Sequence, residues 1–189
     1  MGQVLNGLFT AALSPEVFPG GYSPDLSGSN TYERRADGWA TKQGLEPEWR
    51  DIVDPDQALE FEVGLDGRGH LFCGRAAEVY DGQLLVFENL VAGLTTRFLH
   101  VLGDLYATGA YLGSVDVGLA VTGLDGAVSG TLHQYLEHRH SSHPYDKDEY
   151  RRTERFAAST LRDDPRSAAR RLVSPLTRAT TRELYDPFS

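Results

Sequence analysis

Between Leu84 and Tyr106 the chain places Phe87, Leu90, Val91, Leu94, Phe98, Val101, Leu102, Leu105 and Tyr106 at three- and four-residue steps. That period belongs to a helix with one broad apolar face. Glu88, Thr95, Arg97, His100 and Asp104 fall on the opposite side. The pattern predicts a surface helix over Leu84 to Thr108 that presses Phe87, Leu90, Leu94, Phe98 and Leu102 onto a sheet.

The sheet has its own period. Leu59, Phe61 and Val63 alternate with Glu60 and Glu62, and after Asp66-Gly67-Arg68-Gly69 a second run, Leu71-Phe72-Cys73, follows. Period-two alternation on both sides of an Asp-Gly pair predicts a β-hairpin. Arg34 to Ala40 reads as a short strand with a turn at Asp37-Gly38, and Asp81-Gly82 as the turn that releases the chain into the helix. Gly109 reads as the helix's left-handed C-terminal residue.

Beyond the helix, Val115, Val117, Leu119 and Val121 alternate with Asp116, Gly118 and Ala120, a half-buried strand closed by Gly123-Leu124-Asp125-Gly126. Val128, Leu132 and Leu136 predict a long return strand to about residue 138, paired with Tyr150 to Ala158. Asp164 before Pro165 is an N-cap followed by a first-turn proline, and Ala168, Ala169, Leu172, Val173 and Leu176 form a second apolar stripe. Pro175 predicts a kink or break near Ser174.

These elements define an α+β fold: an antiparallel sheet of about five or six strands, with one long central helix and a C-terminal helix packed on one face. Residues 1–31 read as an N-terminal segment and linker, 32–185 as one α+β domain and 186–189 as a tail. The apolar opening Val4 to Leu13 reads as one or two helical turns before the Pro- and Gly-rich stretch Ser14 to Asn30, the pattern of a piece of a longer protein.

Charge narrows the partners. The chain carries 27 acidic and 18 basic residues, a formal charge of −9, which argues against coating nucleic acid or an anionic membrane over the whole surface. The balance reverses after residue 144, where 10 bases meet 8 acids. Cys73 stands alone, so there is no intramolecular disulfide and no thiolate metal cluster. With no signal-peptide pattern and no uninterrupted apolar run of about 18 residues, the reading is a cytoplasmic protein without a membrane span.

Arg35-Ala36-Asp37-Gly38-Trp39, the hairpin around Asp66-Gly67, the helix ending Leu105-Tyr106 with Gly109-Ala110-Tyr111, and the run Val115 to Thr122 together resemble a known pattern. They are similar to the C-terminal region of actinobacterial ATP-binding and helix-turn-helix proteins of the Schlafen/AlbA type. In that family an AlbA-like N-terminal module carries the nucleotide or DNA binding. The resemblance spans residues 32–185 and implies a bacterial accessory region. The AlbA-like module is not in this sequence, so none of its residues carries over.

Three chemistries are candidates. His138, His140 and His143, with His133 before them and Asp146, Asp148 and Glu149 after, have imidazoles spaced to converge on a metal for a hydrolase. The spacing matches no established zinc site, and a His-, Ser- and Asp-rich loop is ordinarily a solvated hairpin tip. Arg151, Arg152, Arg155, Arg170 and Arg171 are the candidates for weak nucleic-acid binding, since guanidinium forks fit phosphate. Acids interleave with them, which favours a salt-bridged surface. Ser129 or Ser114 with His133 and Asp116 is the third, without a Gly-x-Ser-x-Gly elbow.

No dinucleotide fingerprint or phosphate loop is present, and no cofactor is implied. The favoured reading is a non-enzymatic accessory, interaction or oligomerisation domain. Its expected partner is a protein or a second copy of itself, with nucleic acid not favoured.

Overall fold

The computed structural model describes residues 17, 32–43, 59–135, 144–182 and 185–188. Val4 to Leu13, the Ser14 to Asn30 linker apart from Val17, and the loop with His138, His140 and His143 lie outside the described residues.

Four strands, β1 (Tyr32–Arg35), β2 (Gly38–Gln43), β3 (Leu59–Gly64) and β4 (Gly69–Cys73), form an antiparallel sheet in chain order. Alternation decides its faces: Leu59, Phe61 and Val63 are buried, while Glu60 and Glu62 project outward to meet Arg35 at 2.7 Å each. The β3–β4 turn uses Gly67 at φ 85°, a conformation that glycine adopts without steric cost. The β1–β2 turn falls at Ala36-Asp37, one residue before the predicted pair.

β5 (Ala77–Tyr80) and β6 (Gln83–Val86) form a further hairpin. Asp81 and Gly82 both have positive φ, 48° and 77°, as a two-residue hairpin turn requires. That turn folds Gln83 to Val86 back as a strand, so the long helix α1 starts at Glu88 rather than Leu84 and runs to Thr108. At its end Gly109 keeps φ −80°, and Ala110 takes the left-handed position at φ 54°. Tyr111 N–H then donates to Tyr106 O at 2.8 Å and closes the turn.

β7 (Ser114–Thr122) pairs along its whole length with β9 (Glu149–Ala157). The predicted long return strand is instead β8 (Val128–Ser129), two residues parallel to β6, followed by the short helix α2 (Gly130–Tyr135). The four-residue spacing of Val128, Leu132 and Leu136 is a helical period. Ser129 Oγ accepts from Leu132 N–H at 3.1 Å, as an N-cap does. Gly130 allows the approach, since a Cβ there would lie 2.9 Å from Val86 O.

The chain closes with α3 (Ala158–Asp163) and α4 (Pro165–Thr181). Asp164 caps α4 through Ser167 N–H at 2.9 Å. α4 is continuous through Pro175, contrary to the expected break. Leu172, Val173 and Leu176 are wholly buried around that proline, and their packing outweighs the missing backbone bond.

The architecture is α+β with antiparallel sheets, a long central helix and a C-terminal helix, and the nine strands among the described residues are divided among three sheets. α1 is the common spine. Leu94, Val101 and Leu102 pack under the four-stranded sheet, where Phe61 meets Phe98 edge-on at 5.7 Å. Ala92 and Leu99 belong to a larger core with Leu161, Ala168, Ala169 and Leu172 of α3 and α4. Glu88, Thr95 and Arg97, which the apolar stripe alone had placed on the surface, are buried as well.

Candidate docking cleft

β4 pairs only with β3, and β7 only with β9, among the described residues. Their other edges face each other across a cleft that both strands line. The inner part, about 320 Å³, is floored by Leu90, Leu94, Phe98 and Leu102 of α1 and walled by Leu71 and Val117. The outer part, about 690 Å³, opens beside Phe72, Gly118 and Arg151. Strand alternation produces this layering: Val117 and Val121 turn inward and are buried, while Asp116, Gly118 and Ala120 face out.

Tyr106 ties the floor to one end of the cleft by donating to Gly67 O at 2.9 Å. Its ring lies 5.6 Å from that of Tyr111, next to Leu112, which is 92% exposed. Cys73 lines both parts of the cleft, and burial pushes its thiol pKa up, so the group is a neutral thiol rather than a nucleophilic thiolate.

The charges around the mouth are already matched within the chain. Arg155 grips Asp116 with two bonds of 2.6 and 2.8 Å, which lowers the Asp116 pKa. Arg151 pairs with Glu149 at 2.6 Å. Arg68 pairs with Asp37 and lies 3.7 Å from Asp66 and 3.8 Å from Glu62. The rest of the lining is backbone and apolar side chains, together with His70, Thr95, Thr122 and Thr153.

The structure distributes the candidate arginines rather than gathering them. Arg151 and Arg155 project from the exposed face of β9. Arg152 and Arg171 instead converge on Glu154, and the Arg171 guanidinium lies over the Phe156 ring at 4.8 Å. These two partners lower the Glu154 pKa. Arg170 pairs with Asp186 near the C-terminus.

His138, His140 and His143 lie outside the described residues, and among the described residues no group of His, Cys, Asp and Glu is arranged to hold a metal ion. Two members of the serine constellation have other partners. Ser129 is fully buried and serves as a helix cap, whereas both Asp116 oxygens are taken by Arg155 on the exposed side of β7.

Sequence reasoning missed a buried acid. Glu88, at the first turn of α1, is 0% exposed and accepts hydrogen bonds from Thr180 Oγ1 at 2.9 Å and Thr131 Oγ1 at 3.2 Å. Burial raises its carboxyl pKa, against which hydrogen bonds from Ser129, Thr180 and the Thr131 backbone pull downward. The cluster pins α2 and the end of α4 to the start of α1. In the sequence Glu88 is a charged residue on the side opposite the apolar stripe, which reads as surface.

No protein-family model matches the chain, nor does any curated protein or solved structure. Among the described residues no helix is long and apolar enough to cross a membrane.

Proposed function

We propose that this chain is a non-enzymatic interaction module that docks a segment of a protein partner in the cleft between β4 and β7. One observation carries the reading: two strand edges without a strand partner among the described residues flank an apolar floor. Apolar surface left open in a concave site is the usual mark of a binding site, and an open strand edge is a template for another chain.

The resemblance to the C-terminal region of Schlafen/AlbA-type bacterial proteins adds the context of an accessory part beside a nucleotide- or DNA-handling module. The internal pairing of Arg151, Arg152, Arg155, Arg170 and Arg171 leaves little unbalanced positive charge for a phosphate backbone, and this supports a protein partner over nucleic acid.

The test is selection from a random peptide library displayed on phage, with the full chain as bait. The expected result is an enriched sequence group whose binding is lost when the cleft mouth is filled by Gly118→Phe. An unenriched library, together with a monomeric mass by light scattering at all concentrations, would show the reading wrong.

A further inference from the structure

The chemistry of the cleft specifies its occupant more closely. We infer that one uncharged, extended segment of a second polypeptide adds as a strand between β4 and β7 and joins the two sheets through α1's apolar floor. The inference rests on the docking reading above and names the kind of ligand it takes.

Three features lead to a strand. Both walls are strand edges, so each presents backbone N–H and C=O groups toward the gap, and only an occupant with donors and acceptors along both flanks meets both rows. A helix satisfies its own backbone and would leave both rows unmet. A compact apolar molecule would fill the floor and do the same.

The lengths agree with this. β7 offers nine residues and β4 five, so a segment of that order runs the length of the gap. Its alternate side chains then point down to Leu94 and Phe98 and up beside Phe72 and Gly118. Apolar residues fit the lower positions and hydroxyl-bearing or small ones the upper.

Charge sets the third condition. Of the charged side chains that line the cleft, Asp116 is paired with Arg155, Arg151 with Glu149 and Arg68 with Asp37, and His70 is the other titratable side chain there. A charged occupant would have to break one of these pairs or be desolvated without a partner, so the complementary segment carries no charge.

Cys73 supplies a native reporter, because it is the chain's one cysteine and lines both parts of the cleft. The probe is a capped nonapeptide of alternating valine and threonine with two lysines appended outside the repeat for solubility. Added to the full chain at about ten times its Kd, it should slow Cys73 modification about tenfold, as expected when about a tenth of clefts remain open. Amide exchange should slow in β4 and β7 together.

A peptide methylated on every second backbone nitrogen, with the same side chains, should lose this protection. So should the Gly118→Phe protein, in which a Cβ meets nothing closer than Thr153 Oγ1 at 3.7 Å, so that the fold is kept while the mouth is covered. Equal protection by the methylated peptide would overturn strand addition and leave docking standing. Failure of the unmodified peptide to protect Cys73, while selected peptides still bind at the cleft, would overturn the uncharged alternating strand alone. Protection already present without peptide and removed by Phe9→Asp would assign the cleft to the chain's own opening segment and overturn the second-polypeptide occupant.

Discussion

The two sides of α1 are built on opposite principles. Toward α3 and α4 the helix presents Ala92, Thr96, Leu99 and Gly103, all buried, and the backbones touch: a Cβ on Gly103 would lie 2.5 Å from Arg162 N and 2.6 Å from Leu161 C. Toward the sheets it presents Leu90, Leu94, Phe98 and Leu102, whose bulk reaches two strand pairs that do not close over it. Small residues permit a seam at interior density, with no room for a ligand. Large residues under two separate edges leave a cleft. The open space therefore lies on the side of the helix that is richer in apolar bulk.

The sharpest way to break the closed side is Gly103→Leu. A leucine there collides with backbone, which cannot swing away as a side chain can, so the cost should reach or exceed the roughly 3 kcal/mol of severe overpacking. Urea denaturation measures it. Stability within about 1 kcal/mol of wild type would mean that the two helices are not in backbone contact.

Paired truncations sharpen the contrast. Leu99 is 0% exposed in the closed core and Leu94 is 6% exposed against the open one. Both leucine-to-alanine changes fall within the range of about 2–5 kcal/mol for buried leucines. Leu99→Ala should lie near the top, because it opens a new void in a packed seam. Leu94→Ala should lie near the bottom, because it enlarges an existing opening. The reverse order in denaturation experiments would undo the distinction between the two sides.

Glu88 tests the closed side by pH. Its carboxyl pKa is raised on folding by burial, so the stability it contributes is fully present below the unfolded glutamate pKa of about 4.3 and is lost as pH rises toward the folded value. Its contacts are the neutral groups of Ser129, Thr131 and Thr180. Glu88→Gln keeps a carbonyl acceptor and removes the titration, at a direct cost of about 1 kcal/mol for an altered hydrogen bond. Stability of the glutamine variant relative to wild type should rise as pH climbs from about 4 to 7. Parallel pH curves would show that the carboxyl does not titrate abnormally.

The local elements were legible where one period dominated. The hairpin from Leu59 to Cys73, the strand from Val115 and the capped helix at Asp164 follow directly from alternation and cap chemistry. Val128 to Leu136 misled because sparse apolar residues four apart support either reading until Ser129 is seen as a cap. The second face of α1 was illegible for a different reason: Glu88 is buried where Thr131 of α2 and Thr180 of α4 close on it, a long-range consequence that no window around the helix contains. The cleft was hidden in the same way. Its two walls, β4 and β7, read as ordinary strands, and what defines it is the pairing that they do not make among the described residues.

The smallest expected effect probes the open side most directly. Gly118 sits mid-strand in β7, exposed, at a φ that needs no glycine, with only Thr153 Oγ1 within 4 Å of an added Cβ, at 3.7 Å. Glycine inside a strand costs roughly 0.5–1 kcal/mol in backbone entropy relative to alanine, and aromatic residues favour strands. Gly118→Phe should therefore leave the melting temperature unchanged or slightly raised, in contrast to the glycine at 103. Its whole effect should fall on the cleft, both parts of which Gly118 lines. A clear loss of stability in thermal unfolding would mean that β7 is already covered on this face, and that the opening between the two sheets is closed in solution.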